Sequence, residues 1–190
     1  GKRGFRYPGL FAAISFSLNR YGQCPARQSL RRGEVSENNL TLRGFRQAHC
    51  ASDGDDEDLD NGNKRISSLD LFARLMDTPD YKTLAYGEIS AITLINHAWA
   101  IRKVLERSDW HHRLINGSDY PLPAIMPLIN TKQLHQKGLL ESEHLPFLQA
   151  LKTVNPLMFD FAVKRLIQYN GVSFNQHIFE TRRIFDLPTH

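Results

Sequence analysis

Apolar residues in this chain settle into a rhythm only from about residue 48 onward. Ser67 or Ser68 is placed to cap a helix. Its apolar positions, Leu69, Phe72, Leu75 and Met76, recur at the spacing of one helical face, and Thr78-Pro79 stops it. Leu84-Ala85-Tyr86-Gly87-Glu88-Ile89-Ser90 reads as a strand. A second helix follows, with Leu94, Ala98, Ile101 and Leu105 on one face and Arg102, Lys103, Glu106 and Arg107 on the other. Residues 113–119 read as the next strand, and His49 lies where an earlier one would end. Strand, helix, strand, helix, strand, with connections long enough for crossovers, predicts a parallel α/β architecture.

The C-terminal third reads as helical. Residues 124–136 form one candidate, and Ser142 is placed to cap another through Leu145, Leu148 and Leu151. Asn155-Pro156 is a start signal, with Asn as cap and Pro in the first turn. The helix it opens puts Phe159, Ala162, Val163, Leu166 and Ile167 on one side, with Gly171 as its stop and residues 172–190 irregular. Ser52 to Lys64 reads as an acidic, Gly-rich loop. Counted from Asp56 it departs from a calcium loop, with Asn61 in place of the sixth-position Gly and Ser67 in place of the twelfth-position Glu, so it reads as a solvated loop.

Residues 1–47 follow no comparable pattern. Residues 10–18 fit a strand or a short helix, 19–39 a loop, and Leu40-Thr41-Leu42 the start of a strand that Arg43, Arg46 and Gln47 interrupt. The segment is basic: residues 1–46 hold nine Lys or Arg against Glu34 and Glu37, within a net charge of +4. A nucleic-acid arm is one reading of it and a polar leader the other. No basic helix or aromatic platform organises the charges, so nucleic acid is not the expected partner. The chain is therefore divided into a leader, 1–47, and a body, 48–190.

At 190 residues, 41% apolar and 23% charged, the chain has the size and composition of one globular domain. It is shorter than a complete (β/α)8 barrel, which takes roughly 250 residues. Cys24 and Cys50 build no disulfide framework, and a reducing cytoplasm is the expected setting. Residues 2–18 mimic a signal peptide without a small-x-small cleavage site, and no apolar run approaches the roughly 20 residues of a membrane span.

Candidate chemistry sits at the predicted strand ends, where α/β proteins collect catalytic groups. Asp119, in Asn116-Gly117-Ser118-Asp119-Tyr120-Pro121, fits a metal ligand or general base and equally an Asx-turn residue. His49, among small residues in Gln47-Ala48-His49-Cys50-Ala51-Ser52, fits a ligand or a hydrogen-bonded structural His. Glu88, inside an apolar strand, is either a site residue or a carboxylate facing solvent or Arg. Cys50 reads as a buried, unreactive thiol, and His111-His112 as structural residues at the amino end of their strand.

Several stretches together resemble the metal-dependent hydrolases of the amidohydrolase superfamily, in its amidohydrolase-related branch. They are Ala48-His49-Cys50-Ala51-Ser52, residues 86–91, residues 110–123, and residues 155–165. The resemblance covers about residues 48–186 and implies the C-terminal portion of a (β/α)8 TIM-type barrel, about strands six to eight and the following helices. It places His49 at the end of strand six, Glu88 in strand seven and Asp119 at the end of strand eight. Asp119 would bind metal and shuttle the proton of the attacking water. His49 would bind metal or orient that water or the substrate carbonyl. The resemblance assigns Glu88 no role; Glu88 and Tyr120 are candidates, by position, to face a small-molecule substrate. The implied cofactor is a divalent metal, zinc first, manganese or iron otherwise, and the reaction is cleavage of a C–N or C–O bond or a related decarboxylation. The family's strand-one His-x-His pair has no counterpart here. A homo-oligomer or a separate N-terminal half would be needed to complete such a barrel. A non-catalytic remnant of this ancestry and a binding module using the basic arm are the alternative readings.

Overall fold

The computed structural model describes residues 45–125 and 128–182. Strand β1 (Phe45–Gln47) leads through a tight turn at Ala48–Ala51 into a hairpin of β2 (Asp55–Asp58) and β3 (Lys64–Ser67). Helix α1 (Ser68–Asp77) returns the chain to β4 (Ala85–Glu88), and α2 (Ala100–Glu106) precedes β5 (Leu114–Ile115). Three helices follow, α3 (Thr131–Gln136), α4 (Leu145–Val154) and α5 (Pro156–Leu166), then a small hairpin of β6 (Gln168–Tyr169) and β7 (Val172–Ser173). Strands β1, β4 and β5 form one parallel sheet, adjacent in chain order, with Gln47 opposite Gly87 and Glu88 opposite Ile115.

Local chemistry sets the helix starts. The Ser67 hydroxyl accepts from the Asp70 N–H at 3.3 Å, satisfying one of the donors that a helix leaves open at its first turn. Asn130 does the same for α3 through Gln133, and Asn155 for α5 through Met158 at 3.1 Å, with Pro156 in the first turn.

Strand alternation then decides which side of the sheet is covered. Ala85 and Gly87 are buried, whereas Tyr86 and Glu88, on the opposite face, are half-buried. Leu69, Phe72, Leu75 and Met76 of α1, Ile101, Val104 and Leu105 of α2, Trp110 and Leu114 join one apolar cluster, each such side chain contributing about 1.5–3 kcal/mol on burial. Gly87 permits the closest approach within it. A Cβ there would stand 2.7 Å from Phe72 Cζ, 2.9 Å from Leu114 Cδ2 and 3.0 Å from Cys50 Sγ.

The amino end of the sheet is tied separately. The buried Arg113 donates to the Met76 carbonyl at 2.8 Å, Trp110 Nε1 donates to Asp77 at 3.0 Å, and Arg107 lies over the Trp110 ring while pairing with Asp77 and Asp109.

Several sequence expectations are corrected. The acidic segment is not an open loop: Asp55–Asp58 pairs antiparallel with Lys64–Ser67. Asp58 is buried there against Arg74, whose guanidinium holds its carboxyl below the ordinary carboxylate range. The second helix starts only at Ala100; residues 91–99 form successive tight turns, with Ala98 N bonded to Leu94 O. Its predicted apolar positions are nonetheless the buried ones. The candidate helix at 124–136 shrinks to Thr131–Gln136, because Asn130 caps it late. Helix α5 ends at Leu166 rather than at Gly171. Asn170 and Gly171, both at positive φ, instead turn the β6–β7 hairpin, whose first strand falls in the predicted helix and whose second falls in the stretch that reads as irregular from sequence. The expectations for residues 1–44, Cys24 among them, lie outside the described residues. The sheet includes Phe45–Gln47, which the sequence division assigns to the leader. Among the described residues no helix is long and apolar enough to cross a membrane.

Candidate site at the carboxyl ends of the parallel strands

Each strand of the parallel sheet is followed, in the turn beyond it, by a residue held in the left-handed backbone region. His49, Cys50 and Ala51 follow β1 at φ 54°, 48° and 53°; Ala91 follows β4 at 51°; Asp119 follows β5 at 51°. That conformation costs a non-glycine residue about 1–2 kcal/mol, and such strain gathers at functional turns. The turns are closed by Ser52 N donating to His49 O at 3.0 Å and Leu122 N donating to Asp119 O at 3.0 Å.

These turns bring together two of the predicted residues. His49 Nε2 faces Asp119 Oδ2 at 3.5 Å, across the sheet from the end of β1 to the end of β5. Their side chains are 19% and 34% exposed, so both reach solvent. His49 Nδ1 lies 3.0 Å from the Ser90 carbonyl and 2.9 Å from the Ser90 hydroxyl. The carbonyl only accepts and so pairs with a proton on Nδ1, whereas the hydroxyl serves either tautomer. In the Nδ1-protonated tautomer of the neutral ring, Nε2 is bare. A bare nitrogen opposite a carboxylate repels it unless a proton or a cation sits between them.

That arrangement can be weighed against the implied divalent metal. A metal-bound His characteristically gives its other N–H to a backbone carbonyl, as His49 does to Ser90. Two ligands each about 2.0–2.1 Å from a tetrahedral zinc stand about 3.3–3.4 Å apart, close to the 3.5 Å between His49 and Asp119. The pair fits in kind and spacing. It falls short in number, since no group of three or more His, Cys, Asp or Glu suited to a metal occurs among the described residues.

Glu88 and Tyr120 are placed differently. Glu88, at the end of β4, packs over the next turn, where a Cβ on Gly117 would stand 2.0 Å from its Oε1. Tyr120 is 63% exposed beside Asp119. Cys50 is fully buried with its thiol directed at the Glu88 carbonyl, 3.6 Å away, and burial pushes its pKa far up, so it is not a nucleophile. His111 is buried at the other end of β5, its ring near Phe174, and burial pushes its pKa down.

The structure adds residues that the sequence reading passed over. His97 is buried with its ring 5.8 Å from that of His49 and its Nδ1 2.8 Å from the Ser52 hydroxyl. Burial pushes its pKa down; Asp53 acts in the opposite direction, and His49 adds to the lowering. Behind Asp119, Lys164 Nζ donates to the Gly117 carbonyl at 2.7 Å and pairs with Asp160 Oδ2 at 2.6 Å. The other oxygen of Asp160 accepts from Thr93 at 3.1 Å. Thr93, Asp160 and Lys164 are all buried. Burial pushes the Asp160 carboxyl up and the Lys164 ammonium down, against their mutual attraction. One sequence signal was available for the ion pair: Asp160 and Lys164 are spaced i, i+4 and interleave with Phe159, Val163 and Ile167 on the inward arc of α5. No family model, curated protein or solved structure matches the chain.

Proposed function

We propose that the chain carries one side of a hydrolytic centre of the amidohydrolase kind, on the last three strands and following helices of a TIM-type barrel. The observation that carries this reading is the pair His49–Asp119: two partly exposed groups 3.5 Å apart in the turns that follow β1 and β5, the two outer strands of the parallel sheet, with the His Nδ1 against a carbonyl. Asp119 accepts the proton of a water at the mouth of the pair, from its left-handed turn. His49 Nε2, bare in the tautomer that donates from Nδ1 to the Ser90 carbonyl, orients that water or shares a cation with Asp119. A divalent cation, when bound, lowers the pKa of water and polarises the carbonyl of a small C–N or C–O substrate. His49 and Asp119 would hold it, zinc first by donor type and manganese or iron otherwise, with further ligands from a second copy or an N-terminal half. Glu88 and the exposed Tyr120 flank the pair on the substrate side. The free, buried Cys50 accords with a reducing, cytoplasmic setting.

Metal analysis of the purified full chain, with a hydrolase screen in the presence of Zn²⁺, Mn²⁺ or Fe²⁺, tests the reading. Bound metal and turnover that both disappear in Asp119→Ala are expected. A metal-free, inactive parent indistinguishable from Asp119→Ala would sink it. A second reading, a non-catalytic remnant of such an enzyme, is favoured by one observation: only two of the three protein ligands that a catalytic zinc takes occur among the described residues.

A further inference from the structure

Polar contacts and two short backbone links, Ser90 to Thr93 and Gly117 to Asp119, join the two halves of the His49–Asp119 pair from behind. His49 is held by Ser90 in the turn after β4. Three residues on, Thr93 donates to Asp160 Oδ1. Asp160 Oδ2 pairs with Lys164, and Lys164 donates to the carbonyl of Gly117, two residues before Asp119. The circuit closes where Asp119 faces His49. We propose that Lys164, with Asp160 and Thr93, is the positioning device that sets the distance between His49 and Asp119; this rests on the reading of that pair as the functional site.

The physical case is that the sheet fixes the strand ends, with Ile89 N donating to the Ile115 carbonyl at 2.9 Å, and the turn beyond β5 needs a further tie to hold its place against the turn beyond β4. The turn after β5 is built from Asn116-Gly117-Ser118-Asp119, with Asp119 in a strained left-handed conformation that needs outside support. Asn116 N is anchored to the Ile178 carbonyl at 2.8 Å, which secures the start of the turn but not its crest. Lys164 supplies the second anchor. Its side chain is fully buried, so it cannot bind substrate, and removing water from an ammonium is costly unless its donors are used. One goes to Asp160 and one to Gly117, while Glu88 and Asp119 lie near enough to act on its charge. The rigid rod connecting the turns is one stretch of α5, in which Asp160 and Lys164 stand one helical turn apart. Thr93 and Gly117 are therefore held at a separation given by helix geometry. The turn carrying Ser90, and through it His49, inherits that separation.

The test uses the full chain. In the parent, a nuclear Overhauser contact between the His49 ring protons and the Asp119 β protons is expected. It should vanish in Lys164→Met and in Thr93→Val, while the contact between His49 and Ser90 persists. Thr93→Val nearly conserves volume and removes only the contact to Asp160, so it decides the matter if Lys164→Met does not fold. Titration with Co²⁺ alone gives the second readout: binding in the parent is expected to weaken about 10–100-fold in either variant, the range for lost outer-shell support. A His49–Asp119 contact that survives in a folded variant, or one absent from the parent, overturns the inference. A parent that ignores Co²⁺ while its His49–Asp119 contact is lost in the variants leaves the positioning role standing and removes the metal-site reading instead.

Discussion

Glu88 lies so close to Gly117 that a Cβ on the glycine would stand 2.0 Å from Glu88 Oε1. The clash is with the end of a side chain, not with backbone, so Gly117→Ala displaces the carboxylate. Overpacking of this kind costs about 1–3 kcal/mol. Glu88→Ser removes the obstructing atoms. The two substitutions should therefore couple, with the double variant more stable than additivity predicts by about 0.5–3 kcal/mol. Denaturant unfolding of the four proteins measures it, and strict additivity would mean that the two residues do not touch.

Gly87 makes a different prediction because its neighbours are firm. Phe72 Cζ and Leu114 Cδ2 belong to the apolar cluster and have little room to retreat. Gly87→Ala should destabilise the fold by about 1–3 kcal/mol, and Phe72→Leu in the same chain should recover part of the loss. An alanine tolerated without cost would contradict this close packing of α1 on β4.

His97 gives a pH dependence. Burial lowers its folded pKa beneath the ordinary value of about 6.5. As pH falls through that value the unfolded chain takes up a proton that the folded one refuses, so stability drops; above it both states are neutral and nothing is lost. Buried His111 acts in the same direction. Asp53 and Asp119, whose charges favour the protonated ring, moderate the His97 effect, and the charge of His49 adds to it. Urea midpoints between pH 7.5 and 5.5 should fall in the parent and fall less in His97→Gln. The same slope in both proteins would refute the assignment.

Asn155 caps the helix that bears Asp160 and Lys164. Asn155→Ala should cost about 0.5–2 kcal/mol, measured by thermal or urea unfolding, whereas Asn155→Ser should cost less. Equal losses for alanine and serine would show that the side chain does not cap.

The parts of the fold legible in the sequence are those governed by local rules. Ser67 and Asn155 announce their helices because capping is a contact of three residues' reach. Leu69, Phe72, Leu75 and Met76 mark a buried face by spacing alone. Residues 91–99 mislead for a physical reason: the same three-to-four periodicity serves a run of tight turns as well as an α-helix, and Ile95 N leaves the local pattern to bond Leu128 O. The β2–β3 hairpin is hidden because its acidic strand has low strand propensity and is held by Arg74, beyond the segment itself. At the site, His49 and Asp119 stand out because each ends a strand. Ser90, Thr93, His97, Asp160 and Lys164 do not, since their roles arise only when three turns and α5 meet in space.

The pairing of His49 with Asp119 is the centre of the account, and the position of one proton tests it. Long-range ¹H–¹⁵N spectra of the His49 imidazole distinguish its two neutral tautomers. The Ser90 carbonyl predicts a proton on Nδ1 and a bare Nε2 turned to Asp119, the form able to share a cation or a water proton. A proton on Nε2, with the Ser90 hydroxyl donating to Nδ1, would contradict this and reduce the pair to an ordinary hydrogen bond.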